Sequence, residues 1–480
     1  MRKPTSIISR FAALAVLTTA GCMTIHNARE AQKDFADLAR DDYAPSVTNH
    51  LDLSACSLSQ LVDFAMTNRP SVAKAALAVQ DAYLALKSLR ADAPLLSATP
   101  WLAPKLSVSG GYSASSSSEH LEDLEVKTHG NASAALSLSL PIYDFGRHDA
   151  KVSAQCEAVL AAELELVDEG YDVFYEVSDA YFTLLEKGAL LAVAQTNEYE
   201  YAVHLEQAEQ RMEAGEAKKL DVTRARLDLA KAKEQTVNAQ NDVDIAGAEF
   251  LKALGIDASH GKRRDVIDFP GDPLTFVMRG FPETDYTVQQ AFDLARTNAP
   301  AMRLVRARLR GASDDVDYAI ADLLPEITAS ASLNWTDPLW YWNWGVSGVQ
   351  TIFQGFRKTT AVDRAVVALR QAAANVEESE LSLSLDIEKS VAERDNAAKA
   401  RETAAASLRE AKDNLDTVRE QYLVGDVDRV EYTDAVTDFV EAMGNRVSAF
   451  YKGQRAECAI FSLVGVYPVY EEKKLTEELK

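Results

Sequence analysis

A duplication constrains this chain more than any other feature. The segment LSQLVDFAMTNRP, Leu58 to Pro70, returns as VQQAFDLARTNAP, Val288 to Pro300. Both copies read as a short helix closed by Asn-x-Pro, because the residue before a proline is pushed out of the helical region. Farther on, Ile142-Tyr143-Asp144-Phe145-Gly146-Arg147 is answered by Ile352-Phe353-Gln354-Gly355-Phe356-Arg357, and Met212-Glu213-Ala214-Gly215 by Tyr422-Leu423-Val424-Gly425. Arg357 follows Arg147 by 210 residues, and Gly425 follows Gly215 by the same 210. Spacing held over so long a stretch means that both copies keep one helix length. A repeat of this size dictates the architecture.

Between Arg147 and Met212 there is no proline, and apolar or small residues fall at Cys156, Leu160, Leu164, Val167, Tyr171, Phe174, Ser178, Tyr181 and Leu185. Steps of four and three mark a helical seam. At about 1.5 Å per residue the segment makes a rod of roughly 100 Å, too long to bury its stripe against its own short domain. The register resumes after Gly215 with Leu220, Val222, Ala225, Leu229 and Ala232, and after Gly425 with Val430, so each glycine turns a helical hairpin. The return helices, ending near Gly255 and Val464, span only about 55 Å. Helices at roughly 71–98 and 301–323 are expected to complete the second column by stacking end to end.

Between the columns the period changes to two. Leu106, Val108, Gly110 and Tyr112 alternate with Lys105, Ser107, Ser109 and Gly111; Ala132, Ala134, Leu136, Leu138 and Leu140 alternate with Ser133, Ala135, Ser137 and Ser139. The second copy sets Ile327, Ala329, Ala331, Leu333 and Trp335 against Thr328, Ser330, Ser332 and Asn334, then Trp340, Trp342, Trp344 and Val346 against Tyr341, Asn343 and Gly345. Runs of about ten residues with one apolar and one serine-rich face suit tilted strands crossing a bilayer. Trp335, Trp340, Trp342 and Trp344 cluster as an aromatic girdle would. Four strands leave two open edges, whose backbone groups hydrocarbon cannot satisfy. Membrane barrels begin at about eight strands, so two or three copies both satisfy the physics.

Arg2, Lys3 and Arg10 precede the apolar run Phe11 to Thr18, and Thr19-Ala20-Gly21-Cys22 supplies small residues. This is an export signal rather than structure. Its end resembles a lipoprotein cleavage site, which implies acylation of Cys22; an incidental thiol after an ordinary signal is the other reading. A net charge of -23 excludes a nucleic-acid partner. Cys56, Cys156 and Cys458 fit no metal spacing. The compartment permits a Cys56 to Cys458 bridge, or all three are buried thiols. The histidines His26, His50, His120, His129, His148, His204 and His260 are dispersed and lack metal-ligand spacing, and no phosphate loop or nucleophile elbow appears, so no enzyme activity and no cofactor are expected.

The duplicated Asn-x-Pro starts, the strand ending Leu140-Pro141-Ile142-Tyr143-Asp144-Phe145-Gly146-Arg147, and the turn with Gly215, Leu220, Asp221, Ala225 and Arg226 resemble TolC-type outer-membrane efflux proteins from about Leu58 to Val464. The resemblance implies a mainly α fold with β. Three subunits would form a twelve-stranded outer-membrane barrel continued by a twelve-helix periplasmic barrel, with two repeats per chain. The implied partners are two further copies, outer-membrane lipid, a periplasmic adaptor protein and an inner-membrane pump. The chain then divides into a signal peptide (1–21), a lipidated periplasmic segment (22–56), a first unit (57–255), a linker (256–285), a second unit (286–467) and a tail (468–480). The glycine turns at Gly215 and Gly425 correspond to the periplasmic tip. There the family's tyrosine falls on Tyr422, its entrance acids on Glu431 and Asp434, and its tip aspartate on Asp221. Its gating arginine falls on Val427, with Arg429 nearby, and Arg224 holds the position equivalent to Asp434. Pairing of Arg224 with Asp434 between neighbouring helices is the expected closure. A lipid-anchored periplasmic coiled-coil scaffold or adaptor without transport is the rival reading, but it leaves the serine-lined strands without a role.

Overall fold

The computed structural model describes residues 57–95, 104–117, 127–215, 218–256, 284–336, 339–424 and 426–466, all within one unit, Asp52–Lys480. The signal peptide, Cys22, Cys56, Gly425, nearly all of the 256–285 linker and the tail lie outside the described residues. In chain order the elements are α1 (Leu58–Asn68), α2 (Pro70–Arg90), β1 (Lys105–Ser117), β2 (Lys127–Tyr143), α3 (Arg147–Glu213) and α4 (Lys219–Ala253). The same order then recurs as α5 (Val288–Asn298), α6 (Pro300–Ala321), β3 (Glu326–Thr336), β4 (Leu339–Val349), α7 (Arg357–Val424) and α8 (Arg429–Val464).

Local chemistry sets the short helices. Ser57 and Thr287 begin α1 and α5 with the same device: the hydroxyl accepts from the backbone of Gln60 or Gln290, and the glutamine side chain reaches back to the cap. Both helices end where Arg69 and Ala299 turn extended ahead of Pro70 and Pro300. The return helices come to rest on these two corners. Gly255 and Gly465 end α4 and α8 in the left-handed region, at φ +78 and +70. A Cβ on Gly255 would lie 3.3 Å from the Asn68 carbonyl, and one on Gly465 would lie 3.1 Å from the Asn298 carbonyl and the Ala299 Cα. The expected end-to-end stacking is thus present, with glycine making the close approach, but α2 ends at Arg90 and not near position 98.

Helix α3, of 67 residues, packs against α2 and α4 from its own half and against α6 and α8 from the other. Its buried positions include Val152, Val159, Leu164, Tyr171, Phe174, Ser178 and Leu185. The expected seam needs correction at two places, because Cys156 and Val167 are exposed. A strict alternation of four and three drifts by about 20° per heptad on a straight helix, and at its near end α3 meets Leu86 of α2 through Val152 and Val159 instead. Cys156 and Cys458 are free thiols, and only Cys458 is buried.

The four strands form one antiparallel sheet in the order β1-β2-β3-β4. Its register aligns Leu106, Leu138, Ala331 and Trp344 across one face, then Val108, Leu136, Leu333 and Trp342, then Gly110, Ala134, Trp335 and Trp340. The opposite face carries Ser107, Ser137, Ser332 and Asn343 in one row. Among the described residues no helix is long and apolar enough to cross a membrane.

These corners predict an asymmetry between two glycine substitutions. Gly465→Ala combines a left-handed backbone with a tight contact and is expected to cost about 2–3 kcal/mol, whereas Gly146→Ala, at φ +85 with open space around it, costs about 1 kcal/mol. Denaturant midpoints followed by helical circular dichroism would show the difference; equal shifts would refute the corner packing.

Candidate functional site

Two surfaces stand apart from the packed interior: the apolar face of the sheet and the tip of the two hairpins. On the sheet, Trp340, Trp342 and Trp344 are 65%, 69% and 73% exposed. Trp335 is half-buried and meets Trp340 with ring centroids 6.1 Å apart. Leu106, Val108, Leu136, Leu138, Leu333 and Val346 on the same face are also exposed. So wide an apolar surface asks for an apolar solvent or a partner.

The tip is built by the ends of all four long helices. Gly215 takes the left-handed conformation, φ +81, in the turn from α3 to α4. Asp221 steadies the start of α4 by accepting from the Lys218 backbone N–H at 3.1 Å. Asp428 caps α8 by accepting from the Glu431 N–H at 3.0 Å. Inside this frame lies an aromatic cluster. Tyr422 of α7 stacks on Tyr432 of α8 with centroids 5.0 Å apart, and His204 of α3 stacks on Tyr432 at 5.2 Å. Leu415, Val418, Ala435 and Val436 surround the tyrosines.

Cations close the cluster. The Arg211 guanidinium sits 5.1 Å from the Tyr422 ring centroid. Arg419 pairs with Glu200 and lies against the Tyr432 hydroxyl. Arg429 crosses from α8 to α4, where its Nη1 meets Asp228 Oδ2 at 2.8 Å, both side chains largely covered. His204 is fully buried, and neither ring nitrogen has a hydrogen-bond partner among the described residues. Burial first, and Arg429 next, push its pKa down to about 4 against an opposing pull from Asp228. The ring is therefore neutral at neutral pH.

The tip residues expected from sequence thus separate into two groups. Tyr422 is buried and Arg429 is ion-paired, while Glu431, Asp434 and Arg224 are exposed. Among the described residues no ion pair joins Arg224 to Asp434 within the chain; the pair that crosses there is Arg429 with Asp228. Val427 is half-buried against the tyrosine cluster. His204, Tyr432, Arg419, Glu200 and Asp228 were not singled out by the sequence. Tyr422 and Tyr432 lie equally far on either side of position 427, the one signal that would have paired them.

This division predicts how the tip responds to truncation. Tyr432→Ala, which empties a fully buried site, is expected to cost about 3 kcal/mol, whereas Glu431→Ala and Asp434→Ala should change stability by less than about 0.5 kcal/mol. Chemical unfolding of the three variants measures it, and similar costs at all three would reject the assignment.

Comparison with known proteins agrees with this geometry. The family model described as "Outer membrane efflux protein" matches residues 61–256 and 291–466. No curated protein sequence matches. Among solved structures, the chain is similar to the CmeC outer membrane channel of Campylobacter jejuni, at 16% identity over 92% of this chain and 97% of that one, with a TM-score of 0.72. It resembles VceC of Vibrio cholerae at 16% identity over 85% and 96%, TM-score 0.72. The open state of the MtrE channel of Neisseria gonorrhoeae matches at 18% identity over 89% and 94%, TM-score 0.70. At these identities the structures establish the fold, and the family model, spanning both halves, establishes the family: the chain belongs to the outer membrane efflux proteins.

Proposed function

We propose that this chain is one of three subunits of an outer-membrane exit duct in a tripartite efflux or secretion system. The observation that carries the reading is the sheet: one face apolar and largely exposed, the other lined with serine, and β1 and β4 each left as an edge. Such a sheet meets hydrocarbon on one side and water on the other only if its edges are paired by copies of itself. Three copies give a twelve-stranded barrel, and each would hang its long hairpins below the membrane as one third of a twelve-helix tunnel. Helix α7 supports the reading, because Val367, Leu381 and Leu385 stay exposed along a rod packed mainly against α5, α6 and α8. Two chain halves with the same element order fit a structural repeat in which each half supplies two strands.

In this reading Trp340, Trp342 and Trp344 mark the membrane boundary, and acylated Cys22 tethers the duct to lipid. The tip, with Glu431 and Asp434 exposed, faces a periplasmic adaptor and, through it, an inner-membrane pump that supplies the energy. Arg224 and Asp434, exposed on α4 and α8, would meet across subunits rather than within one. Purified protein is expected to run as a heat-sensitive oligomer in detergent and to give discrete conductance steps in a planar bilayer; a monodisperse, water-soluble monomer would sink the proposal. Asp434→Arg should raise leakage of large antibiotics through an intact duct, scored by susceptibility and conductance against the parent.

A further inference from the structure

The three rings at the tip join parts of the chain that are far apart in sequence. His204 stands on α3, Tyr422 on α7 and Tyr432 on α8, with centroid separations of 5.0 to 5.6 Å. The cluster therefore ties the outgoing helix of the first hairpin to both helices of the second. We propose that it is an acid-released latch: the neutral His204 imidazole holds the hairpin tips together, and its protonation parts them.

The geometry gives the direction. Each charged group around the ring is already committed or is of the wrong sign to welcome a proton. On its own helix stand Glu200, engaged by Arg419, and Arg211, which covers Tyr422. From α7 come Arg419 and Tyr422, from α8 Arg429 and Tyr432, and from α4 Asp228, held by Arg429 at 2.8 Å. An imidazolium would bring two N–H donors and a charge into a site where neither nitrogen has a partner among the described residues. The faces of the tyrosines offer some cation–π attraction, but the ring is fully buried and the neighbouring Arg429 guanidinium opposes a second positive charge.

The sign follows from linkage. With the tip closed the pKa is about 4; in a hydrated, open tip it returns to about 6.5. Above that value neither state binds the proton, and closure is undisturbed. As the pH falls below it the open state gains about tenfold per pH unit, approaching a limit of about 300-fold below pH 4.

The test compares hydrogen exchange in peptides spanning 200–215 and 415–436 in the full-length protein and in His204→Phe, which keeps a ring but cannot titrate. Measuring both at the same pH cancels the intrinsic exchange rate and any shared titration of carboxylates. The ratio of wild-type to variant exchange should rise from pH 7.5 to pH 4.5 by at least tenfold, and only in the tip peptides. A ratio independent of pH overturns the latch. If His204→Phe fails to fold, His204→Gln serves the same comparison. The readout concerns the tip alone, so a protein that gives no conductance would overturn the duct and leave this result standing.

Discussion

Burial of α3 on four sides is the interaction on which the rest of the chain depends. A rod of 67 residues cannot fold back on itself, so its apolar positions must be covered by other elements. In the main core Val173, Phe174, Val177, Phe182, Leu184, Leu185 and Ala189 meet Phe250 and Leu251 of α4, Leu254 just past its end, and Val447, Tyr451, Cys458 and Phe461 of α8. The helices doing this come from both halves of the chain, so neither half completes its core alone. Helix α7, of nearly the same length, has neighbours on fewer sides and keeps leucines in the open. Two copies of one plan have therefore taken unequal places, one central and one peripheral.

The crossings between sheet and helix hold the two halves in register. At the end of β2 the chain turns through Phe145 and Gly146, both with positive φ, and the second copy turns through Gly355 and Phe356 in the same way. A phenylalanine in that region is strained. It persists here because the following arginine is fixed: Arg147 bridges Glu326 at 2.6 Å and Asp322 at 3.4 Å, tying the start of α3 to the start of β3. Asp144 accepts from the His148 N–H at 2.8 Å and caps the same turn. Continuity from sheet to rod is thus enforced by a few polar contacts at one level of the molecule.

At the opposite end the chemistry is reversed. Among its described residues the tip has no strand, and its cohesion comes from stacked rings and the arginines around them. Charged residues there do two different jobs: Arg419, Arg429, Glu200 and Asp228 hold the helices to one another, while Glu431, Asp434 and Arg224 face outward. Outward charges contribute little to stability, which leaves them open to recognition.

Periodicity, proline and glycine made most of the architecture legible. The duplicated Asn-x-Pro corners, the glycine turns and the switch from a period of four and three to a period of two are properties of the local chain, and the helices and strands form where they point. The apolar side taken by Val108, Leu136, Leu333 and Trp342 also follows, because alternation fixes which face each residue takes, whereas the pairing of β2 with β3 across the halves was decided by the tertiary structure. What the linear pattern left undecided were choices between partners. That α3 rather than α7 became the central rod depends on which helices dock across halves, and with it the exposure of Cys156 and Val167. The tip shows the same limit: Tyr422 and Arg429 could be located from sequence, but His204 joined them only in three dimensions. Side-chain stacking and ion pairing act over a few ångströms, and residues 10 or more than 200 positions apart come within that range only when the helices pack.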